Sequence, residues 1–178
     1  MSGIVNVRGA RSGVIGTVTG TTVIPAAGGI THHSQWVIDT EVTATDIVPY
    51  QNWTQRSLYG DALTEDDGIF TFPVTGWWQI LFTSYGTMDV AGYVNTSIEE
   101  TQNNSTYTVG AFNTSSHPAG HYQSHDVGPY FFDVTDEDNF KVRFVQGATQ
   151  NYHLRVGTIS GEASDYNSGA TFVRLGDT

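Results

Sequence analysis

Cysteine is absent from the 178 residues, which excludes disulfides and thiolate metal centres. Lysine occurs once, at Lys141. No acidic residue precedes Asp39, so the first 38 residues carry Arg8 and Arg11 as their only formal charges. The remaining 140 hold eighteen acids against five bases, a balance of −13. Such an acidic body repels phosphate, and nucleic acid is not expected as a partner. No run of 18 apolar residues occurs, so no membrane-spanning helix is expected. Met1-Ser2-Gly3 opens without a basic n-region or a continuous apolar stretch, so no secretory signal is expected either. The Asn-x-Ser/Thr triplets at Asn52, Asn95, Asn103, Asn104 and Asn113 then read as chance in a Thr/Ser-rich chain. Gly-x-Ser-x-Gly, His-Glu-x-x-His, Walker and dinucleotide motifs are all missing. Neither an enzyme nor a cofactor is expected.

What is present is dominated by residues 68–85, GIFTFPVTGWWQILFTSY. Phe70 and Phe72 alternate with Thr71, the period of a half-buried strand. Pro73 cannot donate to a ladder and Gly76 permits a turn, after which alternation resumes. Trp78, Ile80 and Phe82 fall on one face; Trp77, Gln79, Leu81 and Thr83 fall on the other. This reads as the core hairpin of an all-β domain. Its second strand is apolar on both faces and needs cover on both, from within the chain or from another subunit.

Around it, short apolar runs recur between turn residues, as in a sandwich. Residues 35–39, 47–53, 93–99, 106–112, 130–134, 140–146, 152–159 and 171–175 read as strands. Residues 59–67 and 115–125 read as loops. The total is nine or ten strands. Residues 1–33 form a separate zone, with glycine at positions 3, 9, 13, 16, 20, 28 and 29 among single Val, Ile and Ala residues. No large side chain is available there to build a core. The zone reads as a flexible leader or as an attachment arm that buries Ile4, Val5, Val7, Val14 and Ile15 on a partner, with Arg8 and Arg11 pairing with carboxylates.

Four motifs in order resemble the globular domain of the complement C1q/tumour-necrosis-factor superfamily. The run Gly68-Ile69-Phe70-Thr71-Phe72-Pro73-Val74-Thr75-Gly76-Trp77-Trp78-Gln79-Ile80 is similar to its Gly-x-Phe-Thr-x-Pro-x-x-Gly-x-Tyr-x-Phe signature, with Trp78 for Tyr and Ile80 for Phe. Ile47-Val48-Pro49-Tyr50 with Tyr59-Gly60-Asp61, the segment from Val134 to Val142, and Thr171-Phe172-Val173-Arg174-Leu175 supply the rest. The resemblance implies a jelly roll of about ten antiparallel strands over residues 34–178. It also implies a homotrimer, whose axis would be lined partly by Trp77, Gln79 and Leu81. The collagen-like stalk of animal members is missing. Residues 8–16, RGARSGVIG, are similar to short N-terminal segments of bacteriophage structural proteins.

These features give the expectation of a bacteriophage virion protein made in the host cytoplasm: a trimeric capsid decoration, or cement, protein held to the major capsid protein or another virion protein by its arm. The alternative is a receptor-binding or adhesive head of a tail or head fibre, with Tyr50, Trp53, Tyr107 and Tyr122 as candidate sugar-stacking aromatics. A secreted trimeric ligand and a polysaccharide hydrolase are the remaining readings. His117, His121 and His125 stand four apart, but Pro118 and Gly120 argue against a helix, so they read as solvated loop histidines rather than a metal site. His32-His33 reads as a linker feature. Glu65-Asp66-Asp67, Glu99-Glu100 and Asp136-Glu137-Asp138 read as solvated turns, the last being the one most suited to calcium.

Overall fold

The longest uninterrupted alternation in the chain becomes its central strand. In a computed structural model, which describes residues 30–156 and 168–178, residues 76–88 form one thirteen-residue strand. Numbered in chain order, the strands are β1 His33–Ile38, β2 Val42–Ile47, β3 Trp53–Tyr59, β4 Thr64–Asp66, β5 Ile69–Thr71, β6 Gly76–Met88, β7 Gly92–Thr101, β8 Thr108–His117, β9 Gln123–Val134, β10 Lys141–Leu154 and β11 Gly169–Gly176. No helix occurs among the described residues. The domain is an all-β jelly-roll sandwich, and the eleven described strands pair with one another antiparallel.

One layer runs β3-β1-β11-β6-β9. The other runs β8-β7-β10, with β2 and β5 on the far side of β10 and β4 beyond β5. The layers join where Tyr152–Leu154 of β10 pairs with Gly86–Met88 of β6. The inner faces close on an aromatic core. Phe82 stacks on Phe144 at 4.6 Å between centroids, and Phe70 lies within 5.6 Å of Trp36, Trp53, Phe144 and Phe172. Such pairs add to the area burial that drives folding.

Three expectations need correction. Residues 68–85 are not a hairpin: β5 pairs with β4 and β10, whereas β6 pairs with β11, β9 and the end of β10. Pro73, Val74 and Thr75 instead carry the chain from one layer to the other. Their geometry depends on Gly76, whose φ of 136° suits no side chain and whose added Cβ would lie 2.4 Å from the Gly176 carbonyl oxygen. Second, the runs 140–146 and 152–159 belong to one strand, β10. Its pairing with β2 breaks between Gly147 and Tyr152, which hides the continuity in the sequence. Third, the segment 47–53 is not a strand; β2 ends at Ile47 and β3 begins at Trp53.

Candidate functional site

Strand β6 is flanked by β11 on one side and β9 on the other, so its outward side chains stand at the middle of a broad sheet face. Trp77 (43%) and Leu81 (39%) are exposed there, while Gln79 is half-buried. Gln79 lies opposite Phe131 of β9 and Val173 of β11, and Phe131 is 50% exposed. Leu175 is exposed beside the register shift that separates Arg174 from Gly176. Trp77, Gln79 and Leu81, expected together from their spacing, therefore do share one solvent-facing surface. Phe131 was missed. Its signal is the same as that of Trp77-Trp78: two adjacent large aromatics, Phe131-Phe132, of which only one can enter the core.

Polar groups edge this apolar face. Asp133 is paired with Trp77, and its Oδ1 is buried without a hydrogen-bond partner among the described residues. The Thr83 hydroxyl donates to Asp126 Oδ1 at 2.7 Å. Tyr85 stacks on exposed Tyr122 at 5.6 Å.

Where the chain enters the domain, one arginine binds three segments together. Arg174 donates from Nε to the Thr75 carbonyl (2.9 Å), from Nη1 to Thr31 Oγ1 (3.2 Å) and from Nη2 to Asp177. Its backbone N–H also donates to the His32 carbonyl at 2.9 Å. The His32 ring lies 5.9 Å from that of Trp78 and 3.7 Å from the Asp61 carboxylate. His33 is the first residue of β1, so the histidine pair is part of the folded domain rather than a linker. The arm residues Ile4, Val5, Val7, Arg8, Arg11, Val14 and Ile15 lie outside the described residues.

Behind the sheet, polar side chains gather between the layers. Tyr50 donates to Gln146 Oε1, Ser84 donates to the same oxygen at 2.9 Å, and the Ser84 hydroxyl lies 3.3 Å from that of Tyr152. Burial pushes the Tyr50 and Tyr152 hydroxyls well above the ordinary tyrosine range. His117 and His125 stand beside this cluster with ring centroids 5.3 Å apart, both packed against Tyr152. His117 has one ring nitrogen on the Pro118 carbonyl and the other on that of Gly86. His125 contacts Ser115 Oγ through Nδ1, and its Nε2 is buried without a partner among the described residues. Burial, reinforced by His117, lowers the His125 pKa to about 4.

The expectation of solvated loop histidines therefore fails for two of the three. His117 ends β8 and His125 lies in β9, both buried, and only His121 is exposed on the turn. Among the described residues no group of three or more His, Asp or Glu side chains is placed to hold a metal ion. The acidic clusters have local work. Glu65 accepts from the Gly68 N–H, and Glu99 pairs with Arg143. Asp136 accepts from the Asn139 side-chain amide, the main cause of its lowered pKa, and from the Asp138 and Asn139 N–H groups. Of the four candidate stacking aromatics, Tyr50 and Trp53 are core residues. Tyr107 lies half-buried beneath Arg143 at 4.1 Å, and Tyr122 is exposed.

At the opposite end of β6 from Arg174, two open clefts flank residues 89–91. One, of about 400 Å³, is lined by Ala91, Gly92, Tyr93, Ser116, His117 and Pro118. The other, of about 230 Å³, is lined by Thr45, Asp89, Val90, Gln150 and Asn151.

No known family profile matches the chain, and no curated protein matches it. Solved structures do. The crystal structure of murine APRIL at pH 5.0 aligns with a TM-score of 0.61 at 14% identity, over 81% of this chain and 98% of that one. The structure of Eiger TNF from S. frugiperda aligns with a TM-score of 0.59 at 13% identity, over 82% of this chain and 93% of that one. At such identities the likeness is one of fold: the protein has a TNF-like jelly roll.

Proposed function

We propose that the chain assembles as a homotrimer of jelly-roll heads through the outward face of β3-β1-β11-β6-β9, and that it serves as a non-enzymatic capsid decoration protein of a virion. The observation that carries the assembly is the exposure of Trp77, Leu81 and Phe131 on one continuous sheet face. Large apolar surface left in water at the middle of a sheet is the mark of an interface. Within that trimer the half-buried Gln79 lies between Trp77 and Leu81 and sets register by hydrogen bonding across the axis.

The virion role rests on the division of charge. An acidic head carries a leader with no acid, two arginines and scattered β-branched residues. In this reading Ile4, Val5, Val7, Val14 and Ile15 add a strand or line a groove on the major capsid protein, with Arg8 and Arg11 on its carboxylates. Three arms on one trimer turn a weak attachment into a durable one through effective concentration.

Sedimentation tests the assembly: the 19.4-kDa chain runs as a trimer of about 58 kDa, and Leu81→Asp reduces it to a monomer. Deleting residues 2–16 leaves the trimer intact and abolishes binding to capsids. A wild-type monomer sinks the first claim, and a truncated protein that still binds capsids sinks the second. The clefts beside residues 89–91 favour a second reading, the adhesive head of a fibre. Copy number separates the two: hundreds per particle for decoration, a few dozen at most for a fibre.

A further inference from the structure

We propose that the end of the domain remote from Arg174 carries a binding site for neutral saccharides, formed by the two clefts on either side of residues 89–91. Tyr93 and Ser116 are cross-strand partners on β7 and β8, so the phenol ring and the hydroxyl lie side by side along one cleft. The Tyr93 side chain is exposed, at 58%, and its ring offers an apolar plate to the C–H face of a sugar. Across the loop, Thr45, Gln150 and Asn151 bring a hydroxyl and two amides to the second cleft.

These groups are uncommitted. No hydrogen bond within the described residues engages the side chains of Ser116, Gln150 or Asn151, or the Tyr93 hydroxyl. Their supports are fixed. The Tyr93 N–H donates to Thr149 Oγ1 at 3.0 Å, and the Gly120 N–H donates to the Met88 carbonyl at 2.7 Å. The Asp89 carboxylate lies 3.0 Å from His153 Nε2. His117 contributes only floor, since both ring nitrogens already face carbonyl oxygens.

Charge selects the ligand class. Neither cleft is lined by a lysine or arginine, and the lining includes the carboxylate of Asp89. A phosphate, sulfate or uronate would meet that carboxylate with no cation to receive it. A neutral polyhydroxylated ring loses nothing by this, and amides and hydroxyls beside one aromatic ring match its alternating polar edge and apolar face. The clefts stand apart from the place where residues 30–32 join the domain at Arg174. They lie at the far end of β6, where Met88 stands ten residues, roughly 33 Å, beyond the Trp78 that pairs with Arg174.

Nuclear magnetic resonance on the full chain tests this, with the methyl glycosides of glucose, galactose, mannose and N-acetylglucosamine as probes. At least one of the four is expected to shift the amides of Gly92, Tyr93 and Ser116 saturably in the millimolar range, leaving those of Arg174 and Leu175 unmoved. Tyr93→Ala should weaken that binding about tenfold without changing the sedimentation of the protein. The methyl glycosides of glucuronic and N-acetylneuraminic acid should give no shifts. Absence of shifts at the clefts with all four neutral probes, unchanged binding in Tyr93→Ala, or preference for the acidic sugars would each overturn the proposal. All of these readouts can fail while capsid binding by the arm stands, and the reverse is equally true.

Discussion

His125 occupies a place where a charge is costly: its ring lies between the sheets, against Tyr152 and His117, with the Asp126 carboxylate turned to the outer face toward Thr83. Burial is the main cause of its low pKa of about 4, and the neighbouring His117 adds to it. Because the folded-state value lies below the unfolded one of about 6.5, the unfolded chain takes up this proton first as pH falls. The neutral ring's stabilisation is complete above about pH 6.5 and is lost as pH falls toward about 4. His125→Phe removes the titrating group while keeping an aromatic ring. Its urea midpoint should vary less between pH 4 and 6.5 than that of the wild type, and parallel curves would refute the assignment. None of this was legible in the spacing of His117, His121 and His125. Strand β8 lies at a sheet edge, and the half that carries His117, residues 113–117, reads NTSSH, with no apolar alternation to extend the strand expected over 106–112. Pro118 and Gly120 mark a short turn between two strands, and without the apolar period they extend the apparent loop in both directions.

At the scale of elements, the residues that announce themselves are those with large side chains on a strand paired on both sides. Trp77 to Thr83 alternates cleanly because β6 has β9 and β11 as neighbours and a core beneath it. What the local pattern cannot carry is the identity of the partner strand. β5 and β6 each have a partner far along the chain, in β10 and β11 respectively, so two strands separated by Pro73 and Gly76 look like a hairpin although they belong to different layers. The crossover between them makes a sharp demand on one backbone position. Gly76→Ala should lower unfolding free energy by more than about 2 kcal/mol, since the added Cβ meets a backbone oxygen at a φ reserved for glycine. Gly120→Ala is the control. Its φ of 69° is also left-handed, but nothing lies within 4 Å of the added carbon, and the cost should stay near 1 kcal/mol. Equal losses in urea melts would show that conformation alone, without the crossover contact, sets the price of both changes.

For the whole molecule, the jelly roll itself was legible, because the four motifs that suggested it fall on structural necessities. Gly68 and Gly76 have positive φ, Phe70 and Phe72 are core, and Phe172 closes the sandwich from β11. Of the proposed assembly the sequence carries only an exposed apolar face, since a single chain holds no record of what covers it. That face also has an optical consequence. Three of the four indoles, those of Trp36, Trp53 and Trp78, are buried in the core, and Trp77 alone is exposed. If the chain assembles as proposed, the fluorescence of Trp77 is a built-in gauge of association. In the Leu81→Asp monomer, iodide should extinguish a red-shifted component belonging to one indole. In the proposed wild-type trimer that component should be shifted to shorter wavelength and shielded from the quencher, and it should return on dilution below the dissociation constant. Equal quenching of both proteins would mean that Trp77 remains in water, and that the chain uses some other surface to meet its copies.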